Sequence, residues 1–150
     1  MNKQRQIQLT PEEQAAFLRE GHKAALATLD KDGFPHVVAM GFLAKGGAIY
    51  MTSYGKAQKV LNIRRNPKVG LMIETGKNYG DFRGLMIRGH CEIIEDPALV
   101  ATTIRMLQDT QSGRSETPRE AILSAPKRVI LKITPEKIAS WDHTKLGGKY

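Results

Sequence analysis

The sequence predicts a mainly β, α+β domain with short helices, built on an antiparallel barrel of about six strands, closed or split. Three observations carry this expectation. Short apolar runs recur along the chain with the two-residue alternation of a strand, and turn pairs such as Asp32-Gly33, Gly46-Gly47 and Asp96-Pro97 separate them. Only about four segments have helical spacing, all of them short. So many short strands need closure, because an open sheet would leave its edges free to pair with other chains.

In chain order, Thr10-Pro11-Glu12-Glu13 supplies a capping hydroxyl, a first-turn proline and an acid at the third helical position, starting a helix that Gly21 ends. Lys23–Leu29 and residues 35–43 read as a hairpin about the Asp-Gly turn. Gly46-Gly47 leads into a third strand over residues 48–53, giving three antiparallel strands in succession. Residues 56–65 switch to a helical period, with Val60, Leu61 and Arg64 on it, and stop at Asn66-Pro67. Strands resume at residues 68–74 and 83–95, the second bent at Gly89, with a polar loop over 76–81 between them. Leu99, Val100, Thr103, Ile104 and Leu107 define an amphipathic helix capped by Asp96. Residues 111–118 have the composition of a linker and 127–133 alternate as a last strand. Pro135 then opens a short helix over 135–140, ahead of a tail containing Trp141.

With 150 residues, 41% hydrophobic and 25% charged, residues 1–150 are expected to form one globular domain. The apolar runs are too short to cross a bilayer, and the start MNKQRQIQL lacks the apolar stretch of a secretory signal, so a cytoplasmic location without membrane contact is expected. Cys91 is the only cysteine, which excludes an intramolecular disulfide and leaves it the role of a small strand side chain. His22, His36, His90 and His143 lack metal-ligand spacing, and no metal is expected. A net charge of +8 and a pI near 9.7 favour an anionic partner.

The cations thicken over Lys56, Lys59, Arg64, Arg65 and Lys68, after a strand that ends in Thr52-Ser53-Tyr54-Gly55. A strand leading into hydroxyls, a glycine and a lysine-bearing helix start suits a phosphate, because the first amide N–H groups of a helix are unpaired and its dipole favours negative charge there. A solvated basic helix accounts for the same residue types equally well. Arg64-Arg65 reads as a solvated helix end.

Ala27-Thr28-Leu29, Asp32-Gly33-Phe34-Pro35-His36-Val37-Val38, residues 50–59, Asn66-Pro67, the run Arg83-Gly84-Leu85-Met86-Ile87-Arg88-Gly89 and Trp141-Asp142 follow one another in a distinctive order and spacing. In this the chain resembles the pyridoxamine 5'-phosphate oxidase-like, FMN-binding split β-barrels, specifically their flavin/deazaflavin-dependent oxidoreductase branch. The resemblance implies that the strand carrying His36, Val37, Val38 and Ala39 lies along the isoalloxazine ring and that Thr52 and Ser53 meet the ribityl or phosphate region. It also implies that Lys59 binds the phosphate, with Lys56 as a second cation and Met51 lining the pocket. Arg83 and Gly84 approach the ring edge across a homodimer interface, and Trp141 closes over the cofactor. Gln58 stands where the oxidases proper often carry arginine, a departure from pyridoxamine-phosphate oxidation itself.

The resemblance implies an oxidoreductase that moves a hydride to or from a small organic substrate, with FMN as the first expectation and the deazaflavin coenzyme F-420 as the alternative. A bound flavin supplies the reactive ring, so no catalytic side chain is assigned. His36, Met40, Met51, Met72 and Met86 fit a pocket wall or ordinary strand packing, and Trp141 fits a cover or a tail anchor. The competing expectations are a non-catalytic flavin-binding protein and a basic barrel for single-stranded nucleic acid. The second is disfavoured because only 6% of residues are aromatic, too few and too dispersed for stacking platforms.

Overall fold

A computed structural model describes residues 2–110 and 118–149. Its centre is a curled antiparallel half-barrel of seven strands: β1 (Lys23–Leu29), β2 (Pro35–Gly41), β3 (Leu43–Lys45), β4 (Ala48–Tyr54), β5 (Lys68–Thr75), β6 (Arg83–Ile94) and β7 (Arg128–Asp142). The sheet order is β2-β1-β5-β6-β7-β4-β3. Helices α1 (Lys3–Gln6), α2 (Pro11–Glu20), α3 (Gln58–Arg65), α4 (Pro97–Thr110) and α5 (Pro118–Ser124) complete the described fold. None of them is long and apolar enough to cross a membrane.

The strand expected over 35–43 is two strands, which raises the count from about six to seven. Phe42 interrupts it: its N–H donates to the His22 carbonyl at 3.0 Å and its ring is fully buried. The expected run of three successive antiparallel strands is therefore two hairpins, β1/β2 and β3/β4, at opposite edges of the sheet. Only one residue separates the two edge strands in sequence, so the sheet has to curl until its edges approach, which makes the barrel split. The interior is filled by alternate residues of each strand, among them Leu26, Ile49, Met51, Leu71, Ile87 and Leu131.

A second correction concerns residues 135–140, which continue β7 instead of forming a helix. Along β6/β7, Arg88 pairs with Lys137 but Gly89 pairs with Pro135, so Glu136 is the extra residue of a bulge. Proline is tolerated there because a bulge frees its position from donating to the ladder. Gly89 is required because a Cβ on it would sit 2.3 Å from the Thr134 carbonyl oxygen.

The helix ends follow the expected chemistry. Thr10 Oγ1 accepts from the Glu13 N–H at 3.2 Å, and the Glu13 carboxylate accepts from the Thr10 N–H at 2.8 Å, completing a capping box. Asp96 Oδ1 accepts from the N–H groups of Ala98 and Leu99. Helix α4 buries Val100, Ile104 and Leu107, and with α5 it covers the outer face of β7 and β4 at Ile130 and Tyr50. Helix α5 follows the expected linker, whose residues 111–117 lie outside the described residues.

Candidate functional site at the turn between β4 and α3

Residues 54–57 form a tight turn pinned to the start of β7. The Gly55 N–H donates to the Lys127 carbonyl at 2.9 Å, and the Ala57 N–H donates to the Tyr54 carbonyl at 3.1 Å. The N-cap of helix α3 is Ala57, which has no side-chain oxygen, so no side-chain cap occupies its leading amide groups. Beside the turn opens a cleft of about 750 Å³, lined by Tyr54, Lys56, Arg64, Glu95, Lys127 and Arg128 among others. Its one carboxylate, Glu95, is ion-paired with Arg64. The Arg128 guanidinium lies 4.6 Å from the centroid of the Tyr54 ring, an arrangement that fixes a long side chain at the cleft wall. Neither Lys56 nor Lys127 forms an ion pair among the described residues. The result is a walled cleft in which Lys56 and Lys127 leave positive charge without a counter-charge among the described residues, which concentrates field on an anion.

The predicted residues fall into three groups. Lys56 lines the cleft, whereas Lys59, half-buried in the first turn of α3, is not among its lining residues. Thr52 and Ser53 point to opposite faces of β4. Ser53 is buried on the core side with Met51, which has no exposed surface and supports the site from beneath, while Thr52 shares the face of Tyr54.

Strand β2 is divided in the same way. Val37 and Ala39 are exposed on the outer face, whereas His36 and Val38 turn inward. His36 lies opposite the buried Thr28, whose Oγ1 accepts from Asn62 Nδ2 at 3.0 Å. Asn62 Oδ1 in turn accepts from Gln58 Nε2 at 2.8 Å and from Arg65 Nη2 at 3.2 Å. This polar chain ties the first residue of α3 to β1 beneath His36. Arg65, exposed at the end of α3 as expected, is a further donor to this chain. His36 Nδ1 is buried and finds no hydrogen-bond partner among the described residues. A buried ring nitrogen without a partner is costly, and a polar group of a bound ring would satisfy it.

Arg83, Gly84 and Trp141 form the third group, and none of them lines the cationic cleft. Gly84 pairs with Trp141 across β6/β7, and a Cβ on Gly84 would lie 2.4 Å from the indole Cζ2, so the glycine is the seat of the tryptophan ring. Arg83 Nε stands 3.2 Å from Asp142 Oδ2, with its guanidinium 5.5 Å from the centroid of Phe17.

Sequence reasoning missed Tyr54, Lys127 and Arg128. Register places Arg128 opposite Tyr54, a partnership 74 residues apart. The only local signal was the basic pair Lys127-Arg128 at the start of a predicted strand. Apart from the cleft, burial pushes the Cys91 thiol up to about 12.

A cationic turn, an uncapped helix start and an orphaned ring nitrogen on the adjoining strand fit a phosphorylated ring compound. The pyridoxamine 5'-phosphate oxidase family matches residues 10–142, nearly the whole chain. The chain belongs to this family. A relative from Mycobacterium tuberculosis, F420H(2)-dependent biliverdin reductase, is 30% identical over 125 residues, spanning 82% of each chain. Among solved structures, conserved hypothetical protein Rv2991 from Mycobacterium tuberculosis superposes with a TM-score of 0.87 at 31% identity, covering 97% of this chain and 92% of its own. An F420 reductase superposes with a TM-score of 0.73 at 31% identity, covering 86% and 98% respectively. These likenesses support a flavin- or deazaflavin-related oxidoreductase function for this member.

Proposed function

We propose that this protein is a reductase that uses the deazaflavin coenzyme F420, held by its phosphate at the turn between β4 and α3. The observation that carries this is the cationic cleft itself, in a chain that spans most of a relative named for F420H(2). Lys56 and Lys59 flank the leading amide groups of α3, where charge-assisted hydrogen bonds to a phosphate are stronger than neutral ones. Thr52, on the cleft side of β4, adds a hydroxyl donor.

Lys127 extends the positive surface of the cleft beyond the turn itself, which suits a cofactor with a further acidic tail and moves the choice from FMN to the deazaflavin. His36 offers its ring nitrogen to the polar edge of the bound ring. When bound, the deazaflavin supplies a hydride to an electrophilic carbon of a small conjugated substrate. The protein's part is to bind, orient and exclude water.

The same reading makes the active assembly a homodimer. Helices α4 and α5 cover one half of the outer sheet face, and the other half carries an uncovered row in register: Ala39, Ala25, Met72, Met86 and Ala139. Met72 and Met86 are each 44% exposed, unusual for paired methionines in mid-sheet. A second copy on this face would lie next to Gly84 and Trp141 and would bring those residues to a shared cofactor.

The test is an anaerobic assay of purified protein with reduced F420 and, separately, reduced FMN. Biliverdin is the first acceptor to try because a relative is named for it. The expected result is consumption of reduced F420 that depends on protein and acceptor, with no reaction from FMN. Failure to bind either cofactor would overturn the proposal.

A further inference from the structure

The geometry points to a second ligand site, in the cleft between α2 and the β3–β4 hairpin, that takes a small apolar molecule carrying one anionic group. The cleft has a volume of about 410 Å³, within the range of small-molecule sites, and shares no residue with the cationic cleft. Its walls are apolar, with Ala15 and Leu18 on α2, Ala48 and Ile49 at the start of β4, and Pro135 and Ile138 on β7. Three features of the sequence keep it open. Alanines stand at 15, 44 and 48 where larger residues would fill the space, the Gly46-Gly47 turn carries no side chains, and Pro135 belongs to the bulge that displaces β7.

Two cations from different elements line the cleft, Arg19 in the last turn of α2 and Lys45 at the end of β3. No carboxylate lines the cleft. Among the described residues neither cation forms an ion pair or a side-chain hydrogen bond, whereas Arg83 is paired with Asp142 and Lys145 with Glu13. Two like charges held beside an apolar floor with no counter-charge are complementary to an amphipathic anion. Its apolar body would remove the floor from water while its carboxylate joined the two cations. A medium-chain carboxylate has this chemistry.

Octanoate is the probe, with octan-1-ol as the neutral molecule of equal chain length, each titrated into the full-length protein while backbone amide shifts are followed by NMR. Saturable shifts centred on Ala15, Ala48 and Ile138 are expected with both. Arg19→Gln and Lys45→Gln should each weaken octanoate about fivefold and leave octanol unchanged, and Ala15→Phe should abolish both. All three substitutions fall on exposed positions, so folding is preserved. Shifts that do not saturate, shifts centred elsewhere, octanoate binding indifferent to both charge removals, or equal losses of octanoate and octanol on removal of either charge would each overturn the site.

Discussion

Gly84 shows how far a single residue is decided by its neighbours. Any side chain there meets the Trp141 ring and, 2.8 Å away, the Ile73 carbonyl oxygen, so Gly84→Ala should destabilise the protein by about 1–3 kcal/mol, read from the denaturation midpoint, and should shift the emission of the lone tryptophan. Cys91 makes the opposite case. With its thiol held up to about 12 by burial, it should resist alkylation at neutral pH in the native protein and react only after unfolding. Legibility at this scale followed chemistry. Lys56 and His36 could be singled out because their residue types suit an anion and a ring. Arg128 could not, because its meaning lies in Tyr54 on a strand far away in the chain. Met51, Ser53 and Val38 shared the site's sequence segments, but strand alternation turns them toward the core.

At the scale of elements, the sequence signals that succeeded were those whose cause is local. The capping box at Thr10 and the Asp96 cap satisfy orphan amides within three residues, and both formed as the spacing required. The helix expected at 135–140 failed because Pro-Glu-Lys reads as a helix start only when nothing else needs the proline. Here a bulge does, and its cause is Gly89 on another strand. Gly89→Val should therefore destabilise strongly, by about 3 kcal/mol or more, since its Cβ would collide with the Thr134 carbonyl; thermal denaturation measures this directly.

The α2 cap carries a pH dependence. The side-chain hydrogen bond with Lys145 and the Thr10 N–H hold the Glu13 carboxyl below its ordinary value. A lowered value in the folded state means that this contribution is present above the ordinary carboxylate range and is lost as pH falls through the lowered one. Between about pH 5 and about pH 3 the Glu13→Gln protein should lose less stability than the parent, as followed by urea midpoints.

For the molecule as a whole, the fold class was legible from strand count and turn chemistry, but the strand order was not. Register between β5, β6 and β7 is set by the burial of Leu71, Ile87 and Ile138 against one another across the half-barrel, and no local signal reports it. The split of the second strand was hidden for a related reason: Phe42 continues an apolar run and differs from a strand residue only in filling the core where the sheet must turn. The uncovered outer row belongs to this scale as well. Met86→Lys should shift the proposed homodimer toward monomer by light scattering while leaving the monomer folded, since the position is exposed in the single chain.

Whether the cationic turn recognises a phosphate on a redox-active ring is tested most directly by comparative binding. Fluorescence titration should give much tighter binding of F420 than of the same deazaflavin chromophore lacking its phosphate and tail, with Lys56→Ala and Lys59→Ala each cutting F420 affinity about tenfold, or about 1.4 kcal/mol, and leaving the stripped chromophore unaffected. Equal affinity of the wild-type protein for the two molecules, or F420 binding untouched by the loss of either lysine, would contradict it.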